Sequence, residues 1–164
     1  MTTLPTNNSR AVLLKLVRGA AVAALYALFT LAIAPISSGL MQLRLSEGLC
    51  VLPYFAPEMA IGLFVGCAAA NMLTGAMWFD VVFGSLATLI GAYGTYLLRR
   101  KPYLAALPPI ISNTLIIPFL LAFVYKFDGS LWYFVLTVGI GEIISCGIFG
   151  TALIHCMLKR IKTR

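Results

Sequence analysis

The sequence predicts an all-α integral membrane protein, a single domain over residues 1–164 built as a bundle of six transmembrane helices. Of the 164 residues, 61% are hydrophobic and only 10% are charged, whereas an average soluble domain has about 25% charged residues. The apolar residues also fall into long runs, and a helix needs about 20 of them to cross a bilayer. Because six crossings with short connections use almost the whole chain, no room remains for a separate soluble domain.

Six helical segments follow from the apolar runs and from the Pro, Gly and Ser residues between them. In chain order they cover residues 9–34, 45–55, 57–74, 79–98, 104–125 and 131–158. Ser9 is expected to cap the first segment, and Pro35 is expected to end it. Pro108, Pro109 and Pro118 are expected to interrupt the fifth segment.

The second segment is too short for an ordinary crossing. About 11 residues of α-helix rise only about 16 Å, which is roughly half of what the hydrocarbon core requires. The segment must therefore be tilted, re-entrant or completed by its flanks. Irregular backbone at membrane depth is tolerated where it is buried in protein or lines a cavity, so we expect a cavity near the outer end of this segment.

The basic residues indicate how the chain crosses the membrane. There are 12 Lys and Arg against 5 Asp and Glu, and most of the bases lie at the ends of apolar segments. The three clusters are Arg10, Lys15 and Arg18; Arg99, Arg100 and Lys101; and Lys159, Arg160, Lys162 and Arg164. Six crossings from a cytoplasmic N-terminus place all three clusters inside, with a cytoplasmic C-terminus, as the positive-inside rule requires; five crossings do not. The positive charge therefore indicates topology and contact with anionic lipid, not binding of nucleic acid.

Small residues recur every four positions along the first segment, where Ala20 and Ala24 form one pair and Ala23 and Ala27 another, next to Gly19. In a bilayer such a stripe lets another helix approach closely. Two interpretations stay open: internal packing of this bundle, or docking onto a partner membrane subunit.

Polar groups away from the basic ends are few, and ionisable residues inside a membrane are costly and usually functional. In the six-crossing topology they share the outer half of the bundle, where they are predicted to line one outward-facing pocket. Simpler roles are also open: an ion pair between Arg44 and Glu47, a helix cap by Asp80, and interhelical hydrogen bonds by the asparagines. The candidate binding residues are Arg44, Glu47, Asn71, Asp80, Asn113 and Glu142.

Enzyme chemistry finds little support in the sequence. The single histidine excludes paired-histidine zinc motifs, and there is no G-x-S-x-G elbow or P-loop, so the chain is not expected to hydrolyse ATP itself. None of the four cysteines forms a C-x-x-C pair, so neither a disulfide framework nor a zinc site is expected, and the cysteines are interpreted as buried small apolar residues. No catalytic residue, metal or cofactor is predicted. Aromatic residues at segment ends are expected to lie in the interfacial belt, namely Trp78, Tyr125, Trp132 and Tyr133.

Six stretches of the chain form a recognisable set of motifs. They are Ala34-Pro-Ile-Ser-Ser-Gly39, Gln42-Leu-Arg-Leu-Ser-Glu-Gly-Leu49, Leu52-Pro-Tyr-Phe-Ala-Pro-Glu58, Gly66-Cys-Ala-Ala-Ala-Asn-Met-Leu73, Asp80-Val-Val-Phe-Gly-Ser-Leu-Ala-Thr-Leu89 and Gly141-Glu-Ile-Ile-Ser-Cys146. Together they resemble the QueT-type S components, the substrate-capturing subunits of energy-coupling factor importers. The similarity extends over about residues 20–158, which is nearly the whole chain.

The resemblance implies a six-helix protein of the bacterial cytoplasmic membrane that captures a 7-deazaguanine precursor of queuosine, such as 7-aminomethyl-7-deazaguanine. It also implies partners: a transmembrane coupling subunit, which S components contact through small residues of the first helix, and two cytoplasmic ATPases. The first outer loop, residues 35–44, would cover the ligand. Glu142 and Glu47 would divide the ligand's amino groups between them, since one carboxylate can accept two adjacent N–H groups.

Two other functions remain open at this stage. The polar residues do not exclude another flat, vitamin-like substrate for the same kind of importer. A membrane scaffold protein without a ligand is the alternative from a different class. It predicts that Arg44, Glu47 and Glu142 form an internal ion-pair network with no cavity around them.

Overall fold

The computed structural model describes residues 7–37, 44–126 and 128–163, and the regular secondary structure in this part of the chain is all helical, with no β-strand. It contains five α-helices and one 3-10 helix of ten residues (Leu45–Tyr54), which together form six long helical segments. The first two α-helices are α1 (Asn7–Ser37) and α2 (Glu58–Leu73). The helix α3 consists of a π-helical turn (Asp80–Gly84) and the α-helix Ser85–Leu97. The helix α4 consists of Leu107–Phe119 and a π-helical turn (Leu120–Val124). The helix α5 consists of Leu131–Glu142, a π-helical stretch (Ile143–Gly150) and Thr151–Lys162.

The number and order of the helical segments agree with the prediction, and the first helix extends beyond its predicted bounds at both ends. Ser9 lies inside α1 and does not cap it, since the helix begins two residues earlier at Asn7. Pro35 does not end α1, which continues to Ser37. A proline near a helix end removes only its own N–H bond to the preceding turn, and one such loss does not unwind the last turn by itself. Residues 38–43, most of the expected ligand-covering loop, lie outside the described residues.

Prolines affect α4 less than expected. Pro108 and Pro109 lie in its first turn, where a missing N–H leaves no hydrogen bond unmade, so they start the helix and do not interrupt it. Pro118 lies inside α4, and the π-helical turn begins two residues later at Leu120. At the start of α5, Ser130 caps the helix by accepting a hydrogen bond of 3.3 Å from the backbone N–H of Tyr133.

The 3-10 segment, the one element predicted to be unusual, lies at the centre of the bundle and contacts all five α-helices. At about 2.0 Å per residue, ten residues of 3-10 helix rise about 20 Å, which is still shorter than the hydrocarbon core. Most of its residues are buried, including Ser46, Glu47 and Cys50. The other helices surround this segment, so its backbone is buried in protein although the segment is short. Irregular structure is tolerated at membrane depth under this condition.

Glycines bring α1 and α2 into direct backbone contact. A Cβ atom at Gly66 would lie 2.7 Å from the carbonyl oxygen of Ala23, and one at Gly62 would overlap the backbone of Gly19. Neither position can carry a side chain without separating the helices, which is how small residues serve helix packing in a bilayer. At the same seam Arg18 pairs with Glu58, the first residue of α2, at 3.3 Å.

The outer surface of the bundle is apolar. Among the described residues, three helices are long and apolar enough to cross a membrane: Asn8–Ile33, Pro102–Val124 and Leu131–Lys162, while Glu58–Leu73 is a shorter apolar helix. Large hydrophobic side chains such as Leu16, Ile61, Leu115 and Leu136 are more than half exposed. Such a surface fits a helical bundle within a membrane, because lipid tails cover apolar side chains at little cost.

Candidate functional site

Inside this apolar bundle lies one cluster of polar side chains, and it contains all six candidate binding residues. Five of them are almost fully buried, with exposed fractions of 2–5%, and Arg44 is half-buried. They come from four α-helices and from the central 3-10 segment with its flank, so the tertiary structure brings together residues up to 98 positions apart. The cluster consists of Arg44, Glu47, Asn71, Asp80, Asn113 and Glu142.

Glu47, from the 3-10 segment, is held by four donors. Tyr26 of α1 donates its hydroxyl proton to Oε1, and Thr88 of α3 donates to the same oxygen over 3.3 Å. Oε2 accepts hydrogen bonds from Cys50 Sγ at 3.1 Å and from Asn113 Nδ2 at 3.2 Å. Because each carboxylate oxygen accepts about two hydrogen bonds, Glu47 is nearly saturated by protein donors.

Glu142, at the end of the regular part of α5, has fewer partners. Its Oε1 accepts from Asn113 Nδ2 at 3.0 Å, and its Oε2 accepts from Cys146 Sγ at 3.4 Å. A thiol is a weak donor, so Glu142 retains more free acceptor capacity than Glu47. Asn113 therefore bridges the two carboxylates with one amide group.

The second half of the cluster is arranged around Asp80 and Arg44. Arg44 Nη2 lies 3.8 Å from Asp80 Oδ2, and Arg44 Nη1 donates to Asn71 Oδ1 at 3.4 Å. Asp80 Oδ2 also accepts from the hydroxyl of Tyr125 at 2.8 Å, and Asn71 Nδ2 donates to the Asp80 carbonyl at 3.0 Å. Arg44 thus pairs with Asp80 among the described residues, and not with Glu47 as the simpler alternative proposed. Asp80 does not cap its helix either.

A small cavity lies between the two halves of the cluster. Its lining consists of Arg44, Glu47, Gly84, Asn113, Ile117, Val138 and Glu142, and its volume is about 10 Å³, enough for about one water molecule. Pockets that hold drug-sized ligands occupy about 300–1,000 Å³, so a bicyclic ring would require the lining to move apart.

Widened helical turns lie next to two of these side chains, Asp80 and Glu142. The π-helical turn of α3 begins at Asp80 and ends at Gly84, and the π-helical stretch of α5 begins directly after Glu142. A π-helical turn adds a residue to the turn and rotates the side chains that follow, and such turns are frequent at functional sites. The same sequence in a regular helix would present different faces to the cavity.

Several residues of the cluster are not among those that the sequence predicts. Tyr26 was not considered, and Tyr125 was assigned to the interfacial belt although its hydroxyl bonds to Asp80. Burial, followed by the hydrogen bond to Asp80, raises the pKa of Tyr125, so its hydroxyl stays protonated and donates. Cys50 and Cys146 were interpreted as inert apolar residues, yet each follows a glutamate by three or four positions, which places it on the same helical face. That spacing could have identified both cysteines.

The other two cysteines differ in burial. Cys67 is buried, as expected, and accepts a hydrogen bond from Asn71 Nδ2 at 3.7 Å. Cys156 is exposed on α5, so its assignment to the interior was wrong. Among the described residues, no group of three or more His, Cys, Asp or Glu side chains could hold a metal ion.

The two alanine pairs in the small-residue stripe of α1 differ in burial. Ala23 and Ala27 are half-buried, with Ala23 against Gly66 and Ala27 against the core, so internal packing explains them. Ala20 and Ala24 are exposed and leave a shallow apolar face. Only this second pair is available to a partner helix.

Chemically, the cluster is suited to binding. It offers three carboxyl groups, two amides and one guanidinium in a water-poor interior, where hydrogen bonds to charged groups are strong. Carboxylates are acceptors, so such a cluster is complementary to N–H donors or to a positive charge.

The chain is similar in sequence to known proteins. A family model described as "QueT transporter" matches residues 16–159. A protein of Lactococcus lactis subsp. cremoris (strain MG1363), named "Queuosine precursor transporter QueT", is 38% identical over 73 residues. That alignment covers 43% of this chain and 43% of the relative. No solved structure matches.

Proposed function

Because the chain belongs to the QueT transporter family, we propose that it is the S component of an energy-coupling factor importer and captures a 7-deazaguanine precursor of queuosine. The membership makes it a membrane transport protein and not an enzyme. The observation that carries the rest is the buried acidic cluster around the cavity: Glu47 and Glu142 bridged by Asn113, with Asp80 and Arg44 beside them.

The ligand's chemistry is complementary to this cluster. A 7-deazaguanine presents a ring N–H and an exocyclic amino group side by side, and one carboxylate can accept both. Glu142 suits that edge because its protein donors leave acceptor capacity on both oxygens. The aminomethyl derivative adds a cation, and a buried site with three acids and one base has an acid available for it. We therefore propose 7-aminomethyl-7-deazaguanine as the preferred ligand.

Transport requires a partner, because the sequence contains no ATP-binding motif. We propose that the chain crosses the membrane six times with both ends in the cytoplasm and docks a transmembrane coupling subunit on the exposed face of α1 at Ala20 and Ala24. Two cytoplasmic ATPases would supply the energy. Replacing both alanines by leucine should weaken assembly with the coupling module, measured by co-purification, and leave ligand affinity unchanged. Equal assembly would overturn the docking assignment.

The binding proposal is tested by isothermal titration of the purified protein in detergent. The ligands are 7-aminomethyl-7-deazaguanine, its nitrile analogue, guanine, biotin and riboflavin. We expect the deazaguanines to bind and the two vitamins not to bind. Binding of a vitamin instead would favour the alternative substrate class, and no binding of any deazaguanine to folded protein would overturn the proposal.

A substitution at Glu142 tests the role of this residue in ligand binding. Glu142→Gln replaces one acceptor oxygen by a donor, and losing a hydrogen bond to a charged group corresponds to about a 10- to 100-fold weaker affinity. Glu58→Gln is the matched control, because Glu58 lies at the start of α2 and pairs with Arg18 outside the cavity. Full affinity in Glu142→Gln would remove Glu142 from the site.

A further inference from the structure

One acid of the cluster has an oxygen without a partner. Asp80 is 3% exposed, and its Oδ2 is occupied by Tyr125 and Arg44, but Oδ1 has no hydrogen-bond partner among the described residues. Leaving a buried acceptor unpaired costs about 1–3 kcal/mol, and more for a charged group. An unpaired buried oxygen beside a residue that lines the cavity therefore points to a donor other than the described residues, such as a bound ligand.

The direction of this oxygen is given by Gly84, one turn further along α3. A Cβ atom built on Gly84 would lie 3.8 Å from Asp80 Oδ1 and 4.0 Å from Ile117 Cδ1. Gly84 and Ile117 both line the cavity. A side chain at Gly84 would thus contact both the free oxygen and a residue that lines the cavity.

We infer that Asp80 Oδ1 and Gly84 form a second subsite of the cavity, which receives a single amino or ammonium group of the ligand. The inference rests on the proposed function and specifies how the ligand is oriented. Since Oδ2 is already paired, Asp80 offers one oxygen, which matches one point donor and not the two-donor edge of a guanine-like ring. Glu142 accepts that edge. Glu47, with four protein donors, is a positioning residue that does not contact the ligand.

The absence of a side chain at position 84 is essential to this arrangement. A methyl group there would stand in front of Oδ1. It would also lie 3.3 Å from Asn71 Nδ2, a contact that a shift of a few tenths of an ångström relieves. Gly84→Ala should therefore fold and block the subsite. The substituent at C7 of the ring then has no place to enter, while the edge bound by Glu142 is unaffected.

The test measures affinity for three ligands that differ only at C7: 7-deazaguanine with an aminomethyl group, with a nitrile, and with hydrogen. In Asp80→Asn we expect affinity for the aminomethyl compound to fall about 10- to 100-fold, and affinity for the unsubstituted ring to stay within about threefold. In Gly84→Ala the affinity for both substituted compounds should fall, and the affinity for the unsubstituted ring should not. Gly147→Ala is the matched control, since a Cβ there meets only ordinary contacts at 3.6 Å and 3.7 Å.

Each outcome decides the matter. Equal losses for all three ligands in Asp80→Asn would make Asp80 structural and overturn the subsite, as would unchanged discrimination in Gly84→Ala. Because Gly84→Ala keeps the charge of Asp80, this variant tests the subsite even if Asp80→Asn does not fold. If the wild-type protein binds none of the three compounds, the proposed function itself fails and the subsite fails with it. If Glu142→Gln lowers the affinity for all three ligands equally, and Asp80→Asn lowers the affinity for the aminomethyl compound but not for the unsubstituted ring, both proposals hold.

Discussion

Replacing Tyr26 by Phe should destabilise the protein, because it removes one hydrogen bond to a buried carboxylate and little else. Tyr26 is 1% exposed, its ring packs in the apolar core, and its hydroxyl donates to Glu47. Phenylalanine retains the ring and therefore the packing. The substitution isolates the polar contact between α1 and the central 3-10 segment.

The size of the effect follows from the remaining partners of Glu47. A hydrogen bond to a charged group contributes about 1.5–3 kcal/mol. Glu47 would keep its bonds from Cys50, Thr88 and Asn113, so we expect a loss at the lower end, about 1.5 kcal/mol. For a chain of this size, about 1 kcal/mol shifts the melting temperature by about 2–4 °C. The expected decrease is therefore about 3–6 °C.

The assay is thermal unfolding of purified protein in one detergent, followed by intrinsic fluorescence. Tyr133→Phe is the control, since Tyr133 is 45% exposed. A double-mutant cycle of Tyr26→Phe with Glu47→Gln then measures the coupling of the two side chains. A melting temperature within about 1 °C of wild type, together with additive single effects, would refute the argument that this bond holds Glu47.

Two further predictions concern packing and topology. Gly66→Ala should destabilise the protein by about 1–3 kcal/mol, because the new methyl group would lie 2.7 Å from the Ala23 carbonyl oxygen; Gly147→Ala, in ordinary contact, should be neutral or stabilising in the same thermal assay. In inside-out membrane vesicles a water-soluble maleimide should label Cys156 alone, since the other three cysteines are buried. Labelling in right-side-out vesicles instead would place the C-terminus outside, and Cys156→Ser should remain unlabelled in both.

Membership of the polar cluster could be predicted from the sequence for a simple physical reason. In a chain with 5 acidic residues and 61% hydrophobic residues, a polar side chain in an apolar segment has few possible partners. Burial without a partner is costly in lipid, so the few polar groups must meet one another. This argument identified Glu47, Asn113 and Glu142 as neighbours without any knowledge of helix orientation.

The individual pairings could not be predicted, because they depend on helix rotation. The π-helical turns after Glu142 and at Asp80 change which residues share a face, and no sequence pattern marks where a helix widens. Sequence spacing favours a pair of Arg44 with Glu47, three residues away, and only the packing of α3 against the 3-10 segment brings Asp80 to Arg44. Tyr26 and Tyr125 carry no feature that separates them from tyrosines at the interface.

The conformation of the second segment was also beyond the sequence. Its short length indicated that it was irregular, but its 3-10 form and central position depend on contacts with distant residues. A Cβ at Gly48 would lie 2.8 Å from the carbonyl oxygen of Ser145, and one at Gly150 would lie 2.6 Å from Val51 Cγ1. These two glycines let the segment lie directly against α5, and a pair so far apart in the chain is not recognisable from local patterns.

The charge balance of the cluster connects its stability to its ligand. Three carboxyl groups, from Glu47, Asp80 and Glu142, lie near one guanidinium, and ions buried in excess of their partners destabilise a protein. Hydrogen bonds from Tyr26 and Asn113 offset part of this cost for Glu47, yet no protein donor reaches Asp80 Oδ1 within the described part of the chain. A ligand that brings several N–H donors, and preferably a positive charge, relieves what the protein leaves unpaired. In the proposed function Asp80 and Glu142, which destabilise the empty bundle, are thus the acids that give it an affinity for such a ligand, and Glu47 is retained as a positioning residue.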